Sequence, residues 1–249
     1  MGSTPPGAET IAMMYGVNTA VSAAVKKLSQ HDYVTHNLAN ANTPGFKAER
    51  LIFVRRPETD PMAEDSFSHD PVVLIDHSPG TLQKTGNPLD VAIQGEGYFV
   101  IETKDGERYT RNGGFTLSPS GELVTLSGDA VMGEGGRITI SGRKIEISNA
   151  GAVSVDGSEV GRLKIVDFRK KDALVKRGAG LFEASARAEQ TPLEAAEVRS
   201  GYLETSNVQA VKEMIEMIDI QRSFEAYLKI MQTMSEQDRL ATGRLGKLA

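Results

Sequence analysis

Two stretches of the chain carry apolar residues at helical spacing. Near the N-terminus Met14, Val17, Val21, Ala24, Val25, Leu28 and Leu38 recur at intervals of three and four, with His31 and Thr35 where the stripe calls for apolar residues. No Gly occurs between Val17 and Thr43, and Asn42-Thr43-Pro44-Gly45 supplies the polar, Pro and Gly chemistry that stops a helix. Near the C-terminus Val211, Met214, Ile215, Met217, Ile218, Ile220, Phe224, Tyr227, Leu228, Ile230, Met231 and Met234 form a broader face. Lys212, Glu213, Glu216, Arg222, Glu225 and Lys229 lie mostly opposite. Neither Gly nor Pro interrupts residues 202–242, and Ser206 with Gln209 has the spacing of a capping box. The pattern predicts core helices within 13–45 and 201–249, roughly 40 and 50 Å long.

The middle of the chain has a different period. Leu89–Ile93, Tyr98–Ile101, Glu107–Thr110, Gly121–Thr125, Arg137–Ile140, Lys144–Ile147 and Arg162–Val166 are short runs, several alternating apolar and polar residues. Gly-bearing turns such as Lys104-Asp105-Gly106 and Val155-Asp156-Gly157 separate them. The expected fold is mixed α and β: a central antiparallel β domain over residues 80–200, its strands filling roughly 80–195, flanked by long terminal helices that form a coiled-coil-like core. Residues 46–79, with Pro57, Pro61, Pro71 and Pro79, are expected to be an extended linker. The small, polar residues 1–12 are expected to be disordered.

Composition narrows the chemistry. Of the 25 glycines, 18 fall between Gly80 and Gly180, which matches a turn-dense middle. A net charge of −5 offers no bulk attraction to nucleic acid, and no partner of that kind is expected. There is no Cys, no apolar run long enough to span a membrane, and no basic stretch leading into an apolar one as in a cleaved signal peptide. The four histidines are His31, His36, His69 and His77, and only Asp32 with His36 makes a ligand-like pair. No nucleophile elbow or phosphate loop occurs, and Gly95-x-Gly97 sits between strands rather than before a helix. No metal, no cofactor and no enzymatic activity are expected.

An apolar helix stripe left in water costs roughly 25 cal/mol per Å², so both stripes need partners. They can pair with each other beside the β domain, or with copies and relatives of the chain in a polymer. Met214, Met217, Met231 and Met234 suit an adaptable surface. Spacing alone leaves both arrangements open.

Particular residues carry a resemblance. Asn37-Leu38-Ala39-Asn40-Ala41-Asn42-Thr43-Pro44-Gly45-Phe46-Lys47 is similar to the segment that closes the N-terminal helix in the flagellar rod and hook protein family. Residues 89–101 (LDVAIQGEGYFVI), 109–115 (YTRNGGF), 121–125 (GELVT), 201–208 (GYLETSNV) and 217–225 (MIDIQRSFE) resemble further family blocks, in the family's order. The resemblance implies a structural subunit of the bacterial flagellar basal-body rod, polymerising through its terminal helices into a hollow axial drive shaft. It further implies self and other rod proteins as partners. The subunit would be exported by the flagellar type III apparatus without a cleaved signal and placed in the periplasmic rod. Within the family, the compact, Pro-rich and Gln-free residues 47–79 favour the proximal rod type over the distal type, although residues 201–208 and Gln221-Arg222 are close to the distal pattern. The alternative is a soluble β-domain binding module, such as a secreted chaperone or adhesin, with an intramolecular terminal coiled coil.

The candidate assembly residues are Val17, Val21, Leu28, Asn37, Leu38, Asn40, Asn42, Thr43, Gly45, Phe46, Ser206, Asn207, Met217, Ile218, Arg222, Phe224, Glu225 and Met231. Asn37, Asn40 and Asn42 satisfy backbone groups at the helix end or meet a neighbouring subunit. Phe46 and Tyr15 are aromatic anchors either within the chain or between chains. Arg222 and Glu225 are a candidate ion pair that sets register. Arg111 is read as an exposed turn residue able to bond a neighbouring strand or subunit.

Overall fold

A computed structural model describes residues 6–55, 69–178, 180–193 and 196–245. The chain divides into two compact units, one made of residues 1–38, 50–73 and 209–249, the other of residues 39–49 and 74–208.

The first unit holds two helices, α1 (Pro6–Ala39, 34 residues) and α2 (Ala210–Leu245, 36 residues). They meet antiparallel: Asn37 Nδ2 donates to Glu213 Oε2 at 3.3 Å, and at the other end the Met234 methyl occupies the place where Gly16 would carry a Cβ. A mid-helix glycine costs about 1 kcal/mol against alanine, and here that gap receives a side chain of the other helix. α1 begins seven residues earlier than position 13, so residues 6–12, expected to be disordered, are helical. Pro6 starts it at the first helical position, where a missing N–H costs nothing and φ is already set. Residues 1–5 lie outside the described residues.

The expected linker over 46–79 is corrected in part. Glu49–Arg55 and His69–Ile75 pair as a two-stranded sheet, and residues 56–68 lie outside the described residues. The two runs, Leu51-Ile52-Phe53-Val54 and Val72-Val73-Leu74-Ile75, are apolar and rich in β-branched residues. Pro71 is tolerated because each strand of a two-stranded sheet keeps one free edge, where no N–H is required.

The second unit is built of strands, and every pairing for which a register is resolved runs antiparallel. Its main sheet has ten strands, with Tyr98–Thr103 near the middle between Gly106–Thr110 and Ala130–Gly133. A three-stranded sheet follows at Ile145–Ile147, Ala152–Val155 and Ser158–Arg162. Two short pairs bring the two ends of the unit together: Glu197–Ser200 with Val91–Gln94, and Tyr202–Glu204 with Leu82–Lys84.

The run Tyr98-Phe99-Val100-Ile101 shows why this middle strand is apolar on both faces. Side chains alternate across a sheet, so Phe99 and Ile101 enter one cluster with Phe115, Leu123 and Val131, while Tyr98 and Val100 enter another with Tyr109, Phe168 and Phe182. Phe99 meets Phe115 edge to face at 5.1 Å, and Tyr109 meets Phe168 likewise at 4.8 Å.

The C-terminal boundary also moves. Residues 201–209, expected within the last helix, instead form a turn at Gly201 (φ +78°), the strand Tyr202–Glu204 and an extended passage to α2. Ser206 is four residues from the first helical residue, and its Oγ accepts from Val208 N at 3.2 Å instead of capping α2. Gln209 stands at the cap position, where its carbonyl accepts from Glu213 N at 3.0 Å.

Candidate functional site

Within the second unit, five separate stretches of chain converge on one buried charge cluster. Its geometry begins with the stop of the N-terminal helix. Thr43 N donates to Asn40 O at 3.1 Å, Thr43 Oγ1 to Asn40 Oδ1 at 3.2 Å, and Phe46 N to Thr43 O at 3.2 Å, around a proline that cannot continue a helix. Gly45 then adopts φ +69°, a conformation that other residues resist. A side chain there would also strike the Asn112 amide nitrogen and the Arg111 carbonyl carbon. The turn lets Gly45 N donate to Glu204 O at 2.8 Å and turns Phe46 and Lys47 into the interior.

Lys47, Arg111 and Glu204 form the cluster. Lys47 Nζ donates to Glu204 Oε1 at 2.6 Å and to Ser78 O at 2.6 Å, while Gly80 N donates to the same Oε1 at 2.9 Å. Arg111 Nε donates to Glu204 Oε2 at 2.8 Å, and its two terminal nitrogens donate to Gly97 O at 2.6 Å and Gly95 O at 2.7 Å. The Lys47 and Glu204 side chains have no exposed surface, and Arg111 has 4%. Two cations thus share one carboxylate, and the excess positive charge rests on three backbone carbonyls. Burial, together with repulsion from Arg111, holds the Lys47 ammonium below its ordinary pKa against the pull of Glu204.

Asn207 completes the junction. Its Oδ1 accepts from Ala48 N at 2.8 Å, and its Nδ2 donates to Asp76 O at 2.8 Å and Ser78 O at 3.1 Å, so one amide bridges three segments. Beside it Lys176 Nζ donates to Lys47 O at 2.9 Å, lies 3.4 Å from Glu49 and sits 3.5 Å above the Phe46 ring. Burial lowers the Lys176 pKa also. Nearby, His77 Nδ1 lies 2.7 Å from Tyr98 Oη, and its ring packs on Phe182. Burial and the cations Lys171 and Lys47 push the His77 pKa down to about 4.

The structure distributes the sequence-predicted residues among three places. Asn40, Thr43, Gly45, Phe46 and Asn207 belong to or border this junction, and Phe46 is buried within its own unit. Ser206 forms the local turn described above, and Asn42 is exposed. In the helical unit Asn37 is buried, while Leu38, Met217, Phe224 and Met231 are half-buried. Val21 (43% exposed), Leu28 (52%) and Ile218 (48%) face solvent, as do Arg222 and Glu225. Val17 lies in α1 and Tyr15 with it, but their side chains lie outside the described residues.

Sequence reading missed the cluster itself. Arg111, expected to be an exposed turn residue, is buried, because Glu204 and two carbonyls satisfy it. A signal was present: Lys47, Arg111 and Glu204 are each the lone charge in a short apolar or Gly-rich block, Gly45-Phe46-Lys47, Tyr109 to Phe115 and Gly201-Tyr202-Leu203-Glu204.

Around the helices the apolar surface is uncovered. Val211, Met214, Ile215 and Ile218, at successive helical spacings on α2, are all exposed, and so are Val21, Val25 and Leu28 on α1. No described helix is long and apolar enough to cross a membrane.

The chain is similar to known proteins along most of its length. Residues 17–47 match the family described as flagella basal body rod protein, residues 92–155 the flagellar hook protein FlgE/F/G D1 domain, and residues 199–242 the flagellar basal body rod FlgEFG protein C-terminal family. The chain is 38% identical over 226 residues to the flagellar basal-body rod protein FlgF of Caulobacter vibrioides, covering 87% of this chain and 92% of that protein. It is 37% identical over 244 residues to FlgF of Salmonella typhimurium, covering 91% and 96%. The FlgG rod protein of Bacillus subtilis matches at 33% over 258 residues, covering 90% and 96%. The chain therefore belongs to the flagellar basal-body rod protein family, FlgF-like in its stronger matches, as a structural rod subunit and not an enzyme.

Proposed function

We propose that the subunit builds the proximal part of the rod, and that α1 and α2 are the elements through which it polymerises. In the assembled rod they would form a coiled-coil-like inner core around a hollow shaft. The observation that carries this is the exposed stripe Val211, Met214, Ile215 and Ile218 on α2 with Val21, Val25 and Leu28 on α1. The strand unit buries most of its large apolar side chains in two clusters and exposes scattered ones such as Leu126 and Val160, whereas on the helices the exposed ones recur at helical spacing. Copies of the chain and other rod proteins are the partners that would cover it.

Delivery by the flagellar type III export apparatus belongs to the same proposal and is supported by the likeness to basal-body rod proteins. A binding module with an intramolecular coiled coil, such as a chaperone or adhesin, is disfavoured by the family and by the helix faces that remain open when α1 and α2 meet.

The test is electron microscopy of basal bodies from a strain lacking the gene, complemented with the wild-type chain or with Ile215→Asp/Ile218→Asp. A rod that ends near the inner membrane in the deletion and double-variant strains, and is restored by the wild type, is expected. Full-length rods in the deletion strain would overturn the proximal assignment.

A further inference from the structure

We propose that Glu204 is the closing pin of the strand unit: the buried cations Lys47 and Arg111 keep the N-terminal junction open until residues 204–207 arrive to neutralise and seal it. The proposal rests on the cluster alone and does not depend on the assembly reading.

Lys47 and Glu204 are 157 positions apart in the chain, and Arg111 and Glu204 are 93 apart. Both cations therefore meet their shared carboxylate only by closing long loops, which is slow compared with forming a local hairpin. Docking Lys47 before that closure would bury it beside Arg111 with the Ser78 carbonyl as acceptor and, in place of the contacting Glu204 carboxylate, only the weaker pull of Asp76. Removing a cation from water without a contacting counter-charge costs more than such interactions return. The direct repulsion between Lys47 and Arg111 adds to that cost.

The backbone contacts point the same way. Gly45 N donates to Glu204 O, Ala48 N to Asn207 Oδ1, and Asn207 N to Phe46 O, so residues 45–48 take three of their fixed contacts from 204–207. Residues 78–81 depend on the same segment through Gly80 N to Glu204 Oε1 and Thr205 N to Thr81 O. The central hairpin, Tyr98–Thr103 with Gly106–Thr110, has its own register and draws on neither. The order that follows is central hairpin first, then the 45–48 and 78–81 segments together with 202–207.

Pulsed hydrogen exchange during refolding of the full chain reads this order, with mass spectrometry resolving the segments. The expected result is protection of residues 98–110 before residues 45–48, and of 45–48 in the same phase as 202–207. Protection of 45–48 while 202–207 still exchange freely would overturn the proposal. In the native state Glu204→Gln is expected to speed exchange at 45–48 and 78–81 at least tenfold while leaving 98–110 unchanged. Equal acceleration in both regions would mean a general loss of stability and count against a pin.

Because Glu204→Gln can fail to fold, a second variant replaces all three charges together as Lys47→Met/Arg111→Met/Glu204→Leu. With no charge to bury, its 45–48 and 202–207 segments are expected to gain protection together, in the same phase as the hairpin and without the delay. An undiminished delay in that variant would show that chain connectivity and not the buried charges sets the order, and would overturn the role assigned to Glu204.

Discussion

Asn37, buried in the last turn of α1, donates to the Glu213 carboxylate in the first turn of α2 at 3.3 Å. Burial raises the Glu213 pKa, and the Asn37 hydrogen bond opposes that rise. Removing the donor with Asn37→Ala is expected to weaken the helical unit by about 1–2 kcal/mol, the cost of a buried polar partner lost. Asn37→Asp should do more damage at neutral pH, because two carboxylates then face each other, and should recover on acidification, beginning above the ordinary carboxylate range because burial and the like charge both raise the pKa of the pair. Hydrogen exchange at residues 30–39 and 210–217, followed against pH, checks both variants.

The pair of His77 and Tyr98 gives the strand unit a one-sided acid sensitivity. The folded state holds the His77 pKa at about 4, against 6.5 in the unfolded chain, so below 6.5 the unfolded state takes up a proton that the folded state refuses. The neutral ring's contribution is complete above pH 6.5, falls as the pH drops toward 4, and is gone below that. The full shift corresponds to a little over 3 kcal/mol, and partial solvent screening of this half-buried ring reduces it to about 1–2 kcal/mol. In His77→Gln, which keeps an acceptor for the Tyr98 hydroxyl, urea midpoints should vary less between pH 7 and pH 4 than in the wild type.

How far these features could be read in the sequence depended on the distance over which each is determined. Turn chemistry and the short apolar run Tyr98-Phe99-Val100-Ile101 are local, and they located the β domain and its middle strands. The sheet at 49–55 and 69–75 was obscured because its prolines read as linker, although Pro71 needs only a free strand edge. Arg111 could not be told from an exposed turn arginine, since its carboxylate lies 93 residues away. The helix stripes were legible as faces needing partners, but which members α1 and α2 cover was not: Ala20, Ala24 and Ile220 are buried while Val25 and Ile215 remain open.

The open stripe on α2 separates folding from assembly. Ile218 is already exposed, so Ile218→Asp should change the stability of the isolated chain by no more than about 0.5 kcal/mol. The same substitution places a charge where the proposed rod contact needs apolar area. Swimming in soft agar and recovery of rods from the complemented strain should both be lost while thermal unfolding is unchanged. Lost motility with a large fall in stability would instead make Ile218 part of the subunit's own packing.

Gly45 offers the cleanest measure of how tightly the N-terminal segment is seated. Its φ of +69° is accessible to alanine only with strain of about 1–2 kcal/mol. A Cβ would in addition collide with backbone atoms of Arg111 and Asn112, which cannot swing aside as a flexible side chain can. Gly45→Ala should therefore cost more than the strain alone, about 2–4 kcal/mol, by displacing the turn that presents Lys47 to Glu204. Gly86 provides the control: its φ of +81° is equally left-handed, but nothing lies within contact distance of a Cβ there. Gly86→Ala should show only the strain. Chemical denaturation of the two variants side by side separates conformational strain from steric exclusion, and equal losses would mean that the Arg111 backbone yields and the turn at Gly45 is not rigidly held.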